Sequence, residues 1–202
     1  MVEPLPRADL TDAAWVKIVS RIDAQSLMDF CQNIERLFRL NPYLNLESWT
    51  MPAHNLIDAK WQNSSNINEF TVETNIEVSY LPNEIRLRYS CGLKKETSLL
   101  IRALEQGSSL TVIDDYSSGE NQTEDPAVSD QIDRSLQAWG ASLRSFLFHY
   151  HYLRKIPGIE LVVDRFWIRL STMARRITYL LVVITIFELI LLLVFAGVLV
   201  LM

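Results

Sequence analysis

From Ile177 to Met202 the chain is apolar except for Thr178, Tyr179, Thr185 and Glu188. As a helix rising about 1.5 Å per residue, that run spans roughly 39 Å, enough to cross a hydrocarbon core of about 30 Å with some tilt. A helix apolar on every side needs either a large core or lipid around it. The rest of the chain has no second element to spare for such a core, and the run stands at the wrong end for a cleavable secretory signal. The sequence therefore reads as a soluble domain over residues 1–155, an amphipathic juxtamembrane helix over 156–176 and a single transmembrane anchor over 177–202.

Basic residues crowd the entrance to the apolar run: Arg165, Arg169, Arg175 and Arg176. The positive-inside tendency keeps such a flank, and the domain before it, on the cytoplasmic side. Cysteine usage agrees, because Cys31 and Cys91 are few for a small exported domain, and Cys91 lies in a strand pattern where a buried thiol is ordinary. The net charge of −5 is unevenly spread, acidic from Glu105 to Asp133 and basic from Arg144 to Arg176. The four arginines are expected at the membrane surface, meeting anionic headgroups, with Phe166, Trp167 and Met173 dipping toward the acyl chains. No basic face interleaved with aromatics lies away from the membrane, so nucleic acid is excluded as a partner.

Before the anchor the hydrophobic period changes twice. Trp15 to Ile22 alternates as a strand. Asp23-Ala24-Gln25-Ser26 opens a helix, with Leu27, Phe30, Ile34, Leu37 and Phe38 at helical spacing, a break near Asn33 and a stop at Asn41-Pro42. Period-two strands are then expected at 43–50, 57–63, 69–80, 84–91, 97–105 and 109–116. Pro82-Asn83 and Gln106-Gly107-Ser108 serve as hairpin turns. A polar loop runs from Ser117 to Pro126. A long amphipathic helix follows over 130–155, with Ile132, Leu136, Trp139, Leu143, Phe146, Leu147 and Tyr150 on one stripe. In the two strands at 69–80 and 84–91, Phe70, Val72, Thr74, Ile76, Val78 and Tyr80 share a face, as do Ile85, Leu87, Tyr89 and Cys91. Acids and arginines fill the opposite faces, where they pair across strands. The dry side of this antiparallel sheet needs a cover, and the long helix is the only amphipathic element of that size.

The helix–helix run from Asp23 through Phe30, Ile34-Glu35-Arg36-Leu37 and Leu40-Asn41-Pro42, set between a first strand and a series of antiparallel strands that ends in one long helix, resembles the START-like (SRPBCC, polyketide-cyclase-like) superfamily. The resemblance covers residues 15–154. It implies an α+β helix-grip fold, a curved antiparallel sheet gripping a long C-terminal helix. It also implies an apolar site between sheet and helix, with Phe70, Val72, Ile76, Tyr89, Trp139 and Leu143 as its expected lining. Members of that superfamily bind lipids, sterols, quinones, polyketides or hormones, and some are cyclases or hydrolases. The added anchor departs from the single-domain members and argues against a freely diffusing carrier.

Chemistry is hard to find in the residues themselves. His149 and His151 stand two apart on a helix and point to different sides, so they make no metal pair. No phosphate loop and no G-x-S-x-G is present, and nothing calls for a cofactor. Asp114-Asp115 is the one tempting acid pair; adjacent strand residues face opposite ways, and the expected role is a solvated strand end. The chain reads as a binding domain rather than an enzyme. Glu188 stands apart, because a charged group near mid-span costs about 2.5–3.5 kcal/mol on insertion scales. It is expected to contact a partner helix. The expected partners are thus membrane lipid, an apolar small molecule and a membrane-protein subunit reached through the anchor. The reading is a membrane-tethered START-like domain binding a lipid or quinone-like ligand at the cytoplasmic face. An accessory subunit of a larger membrane complex and a membrane-bound cyclase or hydrolase are the alternatives.

Overall fold

The structure is a computed structural model that describes residues 12–65, 70–92, 94–117, 126–153, 158, 170 and 172–201 of the 202. It forms two compact units, Met1–Glu160 and Leu161–Met202. In the first, β1 (Ala13–Ser20) leads to α1 (Ala24–Gln32) and α2 (Ile34–Arg39). Six more strands follow: β2 (Leu44–Ala53), β3 (Leu56–Asn63), β4 (Phe70–Leu81), β5 (Glu84–Tyr89), β6 (Glu96–Ala103) and β7 (Ser108–Asp115). The long helix α3 (Pro126–Leu153) comes last, and α4 (Thr172–Leu201) makes the second unit. The seven strands form one sheet in the order β1-β7-β6-β5-β4-β3-β2, antiparallel at every step. This is the helix-grip α+β architecture.

Local chemistry accounts for the boundaries. Asp23 caps α1 by accepting from the Ser26 amide at 2.8 Å, and Asn33 ends α1 and caps α2 by accepting from the Arg36 amide at 3.0 Å. The break expected near Asn33 is therefore a second N-cap. The turn between β6 and β7 holds Gly107 at φ +91°, where a Cβ would stand 2.1 Å from the Ser20 carbonyl oxygen, so only glycine fits. α3 starts about one turn before the start expected at residue 130, at Pro126, a residue suited to a first helical turn.

The inner face of the sheet and one stripe of α3 close on each other. Ile18, Ile57, Trp61, Ile76, Val78, Ile85, Leu87, Leu99, Leu110 and Val112 are buried there with Leu136, Trp139, Leu143 and Leu147 of α3. The approach is close at Gly140, where a Cβ would lie 2.6 Å from Val16 Cγ2 of β1. α1 and α2 plug the core from another side. Phe38 sits among Trp49, Trp61 and Trp139, with ring centroids 5.4, 5.6 and 6.1 Å away. The Trp139 indole also donates to the Leu37 carbonyl at 2.9 Å, tying α3 to α2.

Three expectations need correction. Cys91 does not share the dry face: β5 ends at Tyr89, and Cys91 is exposed in the turn beside Gly92, whose φ is +114°. The division into one wet and one dry face holds for β4 and β5 but fails at β7, where every residue is buried. β7 lies between β1 and β6 with Ile113 in register with Trp15 and Ser98, and the residues of both its faces are buried. On β4 the wet face behaves as expected, with Glu77 opposite Arg88 and 4.0 Å from it. Tyr80, in phase with the core residues of β4, is exposed beside the hairpin turn.

Candidate functional site

At one end of the inner face the apolar phase of three strands turns polar. β6 runs inward through Ile101, Leu99 and Thr97, and β7 runs inward through Leu110, Val112 and Asp114. Register places Thr97 opposite Asp114 and Leu87 opposite Thr97, so Tyr89, next inward on β5, reaches the same spot. The Asp114 side chain is 0% exposed. Thr97 Oγ1 donates to its Oδ1 at 2.6 Å, Lys94 Nζ to its Oδ2 at 2.5 Å, and the Tyr116 hydroxyl to Oδ2 at 3.4 Å. The Tyr89 hydroxyl in turn donates to Thr97 Oγ1 at 3.0 Å. A carboxylate only accepts, which fixes the direction of the relay from Tyr89 through Thr97 to Asp114.

Backbone bonds hold the turn that carries Lys94. The Lys95 amide donates to the Asp115 carbonyl at 2.9 Å, and the Tyr89 amide donates to the Lys95 carbonyl at 3.0 Å. The ammonium lies 5.8 Å from the centroid of the Trp139 ring, a cation–π approach that links the polar end of the sheet to α3. Burial, and secondly the charge of Asp114, push the Tyr89 phenol well above its ordinary range against the opposing Thr97 hydrogen bond. Tyr89 therefore remains a proton-carrying donor at any physiological pH.

The residues expected to line an apolar site come together, as far as they are described. Ile76, Trp139 and Leu143 belong to the core cluster, and the half-buried Val72 and Tyr89 pack against it. Phe70 opens β4, but its side chain lies outside the described residues. Asp114 is a correction: it is fully buried among donors instead of forming a solvated strand end, and Asp115 is buried as well. Lys94 and Thr97 were missed. Their signal was faint: Thr97 and Asp114 continue an inward apolar phase in which a polar residue is out of place, whereas Lys94 sits in a turn where phase says nothing.

Outside the core, an open depression of about 450 Å³ is lined by Ala53, Asn55, Leu56, Asn75, Glu77, Arg88, Tyr89 and Ser90. Asn75, Glu77 and Arg88 give it a charged wall, and Ala53, Leu56 and Tyr89 an apolar one. In the second unit, 177–196 is apolar enough and long enough to cross a membrane, and its apolar side chains are exposed. Arg175 donates to the Leu170 carbonyl at 3.1 Å. Arg165 and Arg169, the side chain of Arg176, and most of the expected juxtamembrane helix lie outside the described residues.

No family model and no curated protein matches the chain. Solved structures do. A START superfamily protein from Mycobacterium smegmatis matches with a TM-score of 0.52 at 14% identity, over 67% of this chain and 95% of its own. A protein from Thermus thermophilus matches at 0.53 and 10% identity, over 67% and 97%. The Zhui aromatase/cyclase of Streptomyces sp. R1128 matches at 0.54 and 7% identity, over 72% and 96%. The fold is thus START-like, as the helix–helix run and strand order implied.

Proposed function

We propose that the chain is a membrane-tethered ligand-binding domain, which takes an apolar, lipid- or quinone-like molecule between its sheet and α3 at the cytoplasmic face of a membrane. The observation that carries this reading is the inner face itself: an apolar wall built from β4 to β7 and α3 that ends in one convergent polar cluster. Binding sites for small apolar molecules have this composition, mostly hydrophobic with a few placed polar groups. The START-like fold supports it, and α4 supports the tether. Binding is favoured over a cyclase or hydrolase because Asp114, the fully buried acid of the cluster, is already engaged by three donors and has little left for proton abstraction.

Native mass spectrometry of the full chain, extracted in mild detergent after exposure to membrane lipids, tests it. The expected result is a bound apolar molecule of defined mass that is depleted in Trp139→Ala. A wild-type chain carrying no adduct beyond detergent would count against the proposal.

A second reading, an accessory subunit docked through the anchor, is favoured by a separate observation. At about 100° per helical residue, Thr178, Thr185 and Glu188 fall within one arc of roughly 80° on α4. Thr185 satisfies its hydroxyl on the Leu181 carbonyl at 2.9 Å, so Glu188 is the member of this arc that gains most from a helix–helix contact. The two readings are compatible in one protein.

A further inference from the structure

We infer that Lys94 is the ligand-recognition residue of the grip, and that it selects apolar molecules bearing a neutral carbonyl over those bearing a carboxylate. This rests on the ligand-binding reading above and names the chemistry of its head group. An ammonium has three N–H donors. Lys94 spends one on Asp114, stands beside the Trp139 ring, and keeps its side chain 29% exposed, so it retains donor capacity at the polar end of the apolar wall. Asp114, by contrast, is surrounded by donors and fully buried. What the cluster offers an incoming molecule is therefore hydrogen-bond donation.

Charge then decides between the two kinds of acceptor. Lys94 and Asp114 neutralise each other. A ketone, ester or quinone oxygen adds an acceptor to this pair without changing its net charge. A carboxylate would leave two negative groups around one cation beside the fully buried Asp114, where an uncompensated charge is costly. Tyr89 leaves this choice to Lys94, since its proton is already committed to Thr97 and serves neither acceptor without breaking the relay.

The test compares 2-heptadecanone, labelled with carbon-13 at its carbonyl, with n-heptadecane and palmitic acid, each added to the detergent-solubilised full chain. Binding is read by native mass spectrometry and by the infrared carbonyl stretch of the ketone. A hydrogen bond to a charged donor predicts about tenfold or greater preference for the ketone over the alkane. It also predicts a carbonyl stretch shifted to lower frequency, and weaker retention of the acid than of the ketone. Lys94→Met combined with Asp114→Asn, which leaves no buried charge unpaired, should bind ketone and alkane alike and abolish the infrared shift. Lys94→Arg should keep both. Equal retention of ketone and alkane by the wild type, preference for the acid, or an unshifted carbonyl would overturn the inference while leaving apolar binding intact. Failure of all three probes to bind would overturn the ligand-binding reading with it.

Discussion

Single residues set the character of the interior. Cys31 and Cys91 make an internal control, since one thiol is buried and the other exposed. Iodoacetamide at pH 8 should label Cys91 in the native protein and Cys31 only after unfolding; labelling of both at equal rates would contradict the burial. Burial, partly offset by the Arg36 charge, pushes the Cys31 thiol from 9.0 to about 12. A raised value means the folded state holds its proton longer than the unfolded one. The associated stability is full below pH 9 and is lost as pH climbs toward 12, with a limiting slope of about 1.4 kcal/mol per pH unit. Cys31→Ala should flatten that alkaline decline relative to wild type in parallel denaturation series. Thr97 is the hinge of the polar relay. Thr97→Val preserves shape but strands the Tyr89 hydroxyl and takes from Asp114 one of its three donors, and should cost about 1–3 kcal/mol by denaturant midpoint. If the relay is real, adding Tyr89→Phe should cost little more, because its partner has already gone.

At the scale of elements, legibility followed periodicity. All seven strands, the helix break at Asn33 and the stripe of α3 were readable because nearly every element buries one face, and a buried face writes period 2 or 3.6 into the residues. The double burial of β7 was not readable, since what packs over a strand's second face is set by the tertiary fold. Nor was the Lys94–Asp114 contact, since it joins a turn to a strand 20 residues away. Gly140 shows the same limit. In sequence it looks like a weakness in a helix, where alanine would gain about 1 kcal/mol. In the fold it is the place where α3 meets Val16, whose branched methyls cannot swing aside. The steric cost of about 1–3 kcal/mol outweighs the propensity gain. Gly140→Ala should therefore lower the melting temperature, and Val16→Ala on top of it should recover part of the loss. For α4, Glu188→Leu should leave membrane insertion intact and weaken association with a partner helix, a modest effect given that such contacts average about 0.6 kcal/mol in one system. Extraction in mild detergent followed by size analysis checks it: complexes of identical size in wild type and variant would leave Glu188 without a partner role.

For the molecule as a whole, the question is whether the grip and the anchor are separable functions. The first unit closes its own sheet against its own helix, and every pairing that defines it lies between Ala13 and Leu153. The second is a helix whose apolar side chains are exposed along 177–196 and which offers them no protein core. A chain built this way should come apart cleanly. Cut after Glu160, the N-terminal unit should appear in the soluble fraction with a cooperative unfolding transition and should keep the ligand preference of the full chain, because no residue of the polar cluster is lost. The full chain should pellet with membranes and resist extraction by high salt, which removes only electrostatically held proteins. The proposed cytoplasmic orientation is tested by proteolysis: protease added outside intact spheroplasts should spare the domain, and should digest it once the membrane is breached. Digestion from outside would reverse the topology. A truncated unit that stays with the membrane would mean that the grip itself holds lipid, and the tether would then be a second attachment instead of the only one.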